Sequence, residues 1–201
     1  MNRDIRQVRS VASSFNTRED DGKLYIEGYF AVFNSNYEIF DGATESVAPG
    51  AFDGALLDDI RALIDHETRL VLGRTSAGTL ELRVDEHGLF GRVEINPNDQ
   101  DAMNLYARVQ RGDVNQCSFG FDILDEEYEV LENGDVHWTI KKVKLYEVSV
   151  VTFPAYESTE VVARKNDYEA IQKRQREAWA NGLLTRLRGG NQDGIESTDA
   201  S

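Results

Sequence analysis

The run VHWTIKKVKLYEVSVVTFP (Val136–Pro154) constrains this chain most. It is β-branched and aromatic, and no glycine or proline interrupts it before Pro154, so it reads as a strand from the middle of a sheet. A chain carrying such a strand has to build a sheet around it. The rest of the sequence supplies the neighbours. LELRVDEHGLFGRVEI (Leu80–Ile95) is a hairpin, with alternating residues on both sides of the turn signal EHG, which places His87 in the turn.

LYIEGYFAVFN (Leu24–Asn34) predicts a strand interrupted at Gly28, and RALIDH (Arg61–His66) and LVLGRT (Leu70–Thr75) predict two short strands about the polar turn DHETR. VAPGAF (Val47–Phe52) leads into a single helical turn ending near Leu57. Asn98–Gly112 reads as a helix, because Ala102, Leu105, Tyr106 and Val109 share one face, with Asn98 as its N-cap and Gly112 as its stop. VNQCSFGFDIL follows, then an acidic stretch and a turn at ENGD that returns the chain into the Val136 run. A second helix is expected over Asp167–Arg188, with Ile171, Ala178, Trp179, Leu183 and Leu187 forming a broken stripe.

The expected class is therefore mostly β with flanking helices (α+β), built on an antiparallel, barrel-like core. Four segments are expected: a polar, irregular N-terminal arm (1–21), a folded domain (22–163), a C-terminal helix (164–188) and a disordered tail (189–201).

Charge narrows the partners. Residues 1–163 carry 15 Lys/Arg against 30 Asp/Glu, residues 164–188 carry 7 against 3, and 189–201 carry 0 against 3, for a net −14. Such an acidic body repels phosphate backbones, so nucleic acid is not the expected ligand. No uncharged run is long enough to span a bilayer, and the charged start MNRDIRQVRS lacks the apolar centre of a signal peptide, so a soluble, unexported protein is expected. A lone cysteine, Cys117, offers neither an internal disulfide nor a metal-ligand cluster, and no cofactor or metal is called for.

Three residues have the chemistry of an activated nucleophile. Ser118 stands on a strand, with Gly120 two residues on, and hence on the same face, leaving space where a substrate backbone could approach. A hydroxyl becomes a useful nucleophile when an imidazole takes its proton and a third group orients that imidazole. His66, at a strand end beside a loop, is the best placed of the three histidines; His137 lies within a strand. Glu147 interrupts an apolar segment, where a carboxylate must be paired or hydrogen-bonded, and an imidazole N–H is one such partner. Cys117 points to the face opposite Ser118, so one of the two is a bystander, and a cysteine peptidase using Cys117 and His66 is the enzymatic rival. Each residue alone has a commoner structural role: a satisfied strand serine, an exposed histidine, an outward glutamate.

In order and spacing, VAPGAF, LIDHETRLVLGRT, HGLFGRVEI, the helix before VNQCSFGF, and LYEVSVVTFPAY together resemble the prohead protease family of tailed bacteriophages, serine peptidases related in fold to the herpesvirus assemblins. The resemblance covers roughly Leu24–Glu160. It implies that His66 is the catalytic histidine and Ser118 the nucleophile, with Glu147 as third member and His137 as the alternative. It also implies an assemblin-like fold and a serine endopeptidase working inside the assembling procapsid in the host cytoplasm. Its substrates would be the scaffold or the scaffold-like segment of the major capsid protein, and itself. A homo-oligomer is compatible with this reading, and a non-catalytic scaffold of the same fold is the rival outside enzymology.

Overall fold

The computed structural model describes residues 7–12, 15–153 and 158–189. Along the chain these form β1 (Gln7–Ala12), β2 (Asn16–Asp20), β3 (Lys23–Val32), β4 (Tyr37–Phe40), β5 (Ala43–Val47), β6 (Arg61–Ile64), β7 (Glu67–Arg74), β8 (Leu80–Val84), β9 (Gly88–Ile95), α1 (Gln100–Arg111), β10 (Gln116–Val130), β11 (Val136–Val151) and α2 (Ser158–Gly189). Contacts divide the chain into a β-rich unit, Met1–Glu160, and a helical unit, Val161–Ser201.

Two hairpins organise the β-rich unit. β8 and β9 pair about the Asp85–His87 turn, where the Asp85 carboxylate accepts from the His87 and Gly88 amides. β3 and β2 add to β9, giving one sheet of order β2-β3-β9-β8. β10 and β11, long strands joined at the Asn133–Gly134 turn, carry the other sheet, with β1 on the free edge of β10 and β5, β4, β6 and β7 on the side of β11. β11 is thus central, as its composition requires. Its pairings with β5 and β6 are parallel, which a wholly antiparallel core would not contain, and the two sheets are not closed into a barrel. The fold is mostly β with two helices.

The core lies between the sheets. Ile26, Phe30, Leu89 and Val93 from one and Cys117, Phe119, Phe121, Val148 and Val150 from the other are buried together, with Leu105, Tyr106 and Val109 of α1 in the same cluster. Phe52, from the turn after β5, packs edge-on against Phe119 at 5.7 Å between ring centroids.

Several local expectations change. The lead-in expected to be irregular contains β1 and β2, because their main-chain groups pair with β10 and β3 and so need little apolar sequence of their own. β3 runs through Gly28 without a break; the side chain of Phe15 occupies the space a Cβ there would need. α1 is capped by Asp99 rather than Asn98, its carboxylate accepting from the Asp101 and Ala102 amides, and Gly112 ends it as expected in the left-handed conformation (φ 86°). α2 begins nine residues earlier than expected, and of its stripe Ile171 is buried while Ala178, Trp179 and Leu183 are exposed. The expected tail lies, from residue 190 on, outside the described residues.

Candidate active site

Ser118 and Glu147 owe their common face to strand alternation and one irregularity. On β10, Cys117, Phe119 and Phe121 point into the core, so Ser118 and Gly120 point away from it. On β11, Val143 and Leu145 face the core, and so do Val148 and Val150, a change of phase that a strict period of two forbids. The register shift between Gly120/Phe121 and their partners resolves it: Gly120 pairs with Glu147 and Phe121 with Leu145, leaving Tyr146 as the extra residue of a β-bulge. The bulge turns Glu147 and Ser149 to the outer face. Ser149 there stands directly across from Ser118, and Glu147 across from Gly120.

His66 reaches this face from the end of β6, which pairs in parallel with β11 over Glu147–Val150. The turn Asp65–His66 places both residues in the left-handed region (φ 48° and 61°), a conformation unfavourable for non-glycine residues and held here by hydrogen bonds. The Asp65 amide donates to the Val150 carbonyl at 3.0 Å, and its carboxylate accepts from the Thr152 amide (2.6 Å) and hydroxyl (3.0 Å). The turn is thereby fixed to the end of the strand that carries the glutamate.

The result is a hydrogen-bonded chain. His66 Nδ1 and Glu147 Oε1 are 2.7 Å apart, and the Ser149 hydroxyl donates to Glu147 Oε2 at 2.6 Å. Glu147 is 1% exposed and the His66 side chain 22%, so the carboxylate is buried with partners and the imidazole is at the boundary with solvent. With Nδ1–H donated to the carboxylate, the neutral ring presents Nε2 as an acceptor. That atom is buried and has no hydrogen-bond partner among the described residues.

Ser118 is on the same face but engaged elsewhere. It is wholly buried, and its hydroxyl donates to the main-chain carbonyl of Arg9 on β1 at 2.9 Å. The structure thus joins His66 to Glu147 and places Ser118 beside them on the sheet, with β1 holding the hydroxyl. Cys117 is also buried, but on the core face, its thiol donating to the Tyr29 carbonyl of β3. That orientation removes the geometry a cysteine nucleophile with His66 would need. His137 stands at the other end of β11, both ring nitrogens hydrogen-bonded, to Thr44 (2.8 Å) and Ser46 (2.9 Å), while His87 packs its ring on Tyr29. Glu147, not His137, is the residue against His66.

Sequence reasoning missed Ser149, Arg9 and Glu45. Ser149 was legible as a same-face neighbour of Glu147 at i+2. Arg9 and Glu45 form a buried ion pair, the guanidinium gripping both carboxylate oxygens, and no local pattern relates residues so far apart in the chain.

Comparison with known proteins places the chain in a family. A family model described as caudovirus prohead serine protease matches residues 13–174. The prohead protease of Enterobacteria phage HK97 is 34% identical over 151 residues, 73% of this chain and 63% of that protein. The prohead protease of Escherichia phage T5 is 34% identical over 92 residues, 46% of this chain and 40% of that one. The chain therefore spans less than two thirds of the length of these curated relatives. Among solved structures, the bacteriophage T4 capsid assembly protease matches with a TM-score of 0.50 at 12% identity, covering 74% of this chain and 98% of that one. At that identity the likeness is one of fold.

Proposed function

The chain belongs to the caudovirus prohead serine protease family, and from that premise we propose that it is a serine endopeptidase with Ser118 as nucleophile, His66 as general base and Glu147 as the group that orients the base. The observation that carries the reading is the 2.7 Å bond between His66 and Glu147 on the sheet face that also bears Ser118. Glu147 fixes the tautomer and stabilises the imidazolium that forms; His66 Nε2 takes the Ser118 proton as the hydroxyl attacks a peptide carbonyl. The protonated His66 then gives its proton to the leaving amine, and water hydrolyses the acyl-enzyme with His66 again as base. The Ser118 hydroxyl must first leave the Arg9 carbonyl it now serves.

The substrates are the scaffold or the scaffold-like segment of the major capsid protein, and the protease itself, cut inside the assembling procapsid in the host cytoplasm. What supports this is the family and the printed names of the relatives, a capsid assembly protease among them.

The test is co-expression with the capsid and scaffold proteins from the same phage, comparing wild type, Ser118→Ala and Cys117→Ser by gel and intact mass. Fragments are expected with wild type and Cys117→Ser and none with Ser118→Ala. Equal full-length products in all three, with normal shells, would make the protein a non-catalytic assembly factor.

A further inference from the structure

β1 pairs antiparallel with β10 residue by residue, Gln7 opposite Phe121 through Ala12 opposite Gln116, and it lies against the one stretch of β10 that carries Ser118. Its Arg9 carbonyl oxygen is 2.9 Å from Ser118 Oγ. The Arg9 side chain leaves the strand on the side of Phe119 and reaches Glu45 on β5, with Arg9 6% and Glu45 1% exposed. A recess of about 220 Å³ lined by Arg9, Glu45, Ser46, Tyr37, Asn36 and Phe119 surrounds the pair. An extended segment thus presents a peptide carbonyl to the nucleophile and puts the side chain of the same residue on a buried acid. Ionised carboxylates this deep are tolerated only when paired, and a bidentate guanidinium is the pairing that fits.

Resting on the serine-peptidase reading above, we propose that the β10 edge held by β1 is the substrate-binding edge, that it takes an extended peptide as an added strand with arginine or lysine in the place of Arg9, and that Glu45 is the residue that selects it. Strand addition supplies main-chain affinity at any sequence, so specificity has to come from a side-chain site such as this one. β1 is then an occupant of the site. It keeps substrate from Ser118 while it is seated, and the hydroxyl points its proton at a carbonyl oxygen instead of at His66. A peptide must displace it, against the advantage of a tethered competitor.

The test uses the full chain with Ser118→Ala, which binds without cutting, and with Arg9→Ala added to weaken the hold of β1. The probe is a dye-labelled peptide of residues 7–12, QVRSVA, beside QVASVA, read by fluorescence polarisation. QVRSVA should bind the double variant at least tenfold more tightly than QVASVA, and more tightly than it binds Ser118→Ala alone. Adding Glu45→Gln should bring the two peptides within twofold of each other, whereas Glu45→Asp should keep a preference for arginine. Equal affinity of both peptides, or no gain from Arg9→Ala, overturns the proposal. Should thermal melting show that Arg9→Ala does not fold, hydrogen exchange of residues 7–12 in Ser118→Ala decides. Excess QVRSVA should speed exchange there and QVASVA should not, and no difference between them also overturns it. These readouts need no turnover, so they stand apart from the serine-peptidase reading, which falls instead if a fluorophosphonate fails to label Ser118 in full-length Arg9→Ala.

Discussion

His66 and Ser149 make unlike demands on the buried carboxylate of Glu147. In the proposed mechanism His66 needs its charge, whereas Ser149 holds its second oxygen in place. Glu147→Gln keeps the shape but can present its amide N–H to Nδ1, selecting the wrong tautomer, and a fall in kcat of about 10³–10⁴ with KM little changed is expected from peptide-cleavage kinetics. Ser149→Ala leaves the carboxylate with one donor fewer at about 1–3 kcal/mol, so a loss nearer tenfold is expected, with Ser149→Thr restoring most of it. Equal losses in the two variants would make Ser149 more than a brace. At this scale much was legible in the sequence: alternation alone put Cys117 and Ser118 on opposite faces, and an acid inside an apolar run announced a partner. The hold of β1 on Ser118 was not legible. It depends on a main-chain carbonyl, which every residue has, and on an ion pair joining Arg9 to Glu45, which no short window contains.

Among the elements, hairpins were read well and added strands poorly. Leu80–Ile95 spans β8 and β9 from end to end because its partner is next to it in sequence, so alternation and turn chemistry both report on one structure. β1, β2 and β4 are short or polar and stand as strands only because a neighbour offers an edge. The bulge at Tyr146 was written in the sequence as a phase change, core residues at 143 and 145 and then at 148 and 150. The β6–β7 hairpin that presents His66 has its own weakness. Arg61 and Arg74 stand opposite each other, and Asp59 sits between them, accepting from Arg74 Nε at 2.8 Å and lying 3.3 Å from Arg61. The hydrogen bond from Arg74, then that from Ser76, holds the Asp59 carboxyl well below the usual carboxylate range. A carboxyl more acidic in the folded chain stabilises it above the unfolded value of about 4, and that contribution fades as pH falls toward the folded one. Asp59→Asn should therefore melt below wild type at pH 7, with the gap narrowing steadily below about pH 4; a gap independent of pH would mean that charge is not what Asp59 supplies. Gly88→Ala tests the other sheet: a Cβ there would overlap the Ala31 carbonyl of β3, main chain against main chain, and a cost of about 1–3 kcal/mol is expected in denaturant melts.

Across the β-rich unit, both sheets consist of a local hairpin to which distant strands are added. β8–β9 and β10–β11 close over short turns, whereas β1 pairs with β10 across more than a hundred residues of chain, and β5 and β6 join β11 from the opposite end of the sequence. Closing such loops costs chain entropy before any contact repays it, so the order of assembly should follow sequence separation. The β2-β3-β9-β8 sheet lies wholly within residues 16–95 and can form before β10 and β11 exist. The site cannot, since His66 arrives with β6, Glu147 with β11, and the strand over Ser118 with β1. During refolding from denaturant, pulse-labelling exchange should find the amides of Lys23–Val32 and Gly88–Ile95 protected in an earlier phase than those of Arg61–Ile64 and Ala43–Val47. Labelling of Ser118 by a fluorophosphonate in the Arg9→Ala chain should appear only with that later phase. Simultaneous protection of all four strands would mean that the two sheets nucleate together through the core they share, to which Phe30 of β3 and Phe119 of β10 both belong.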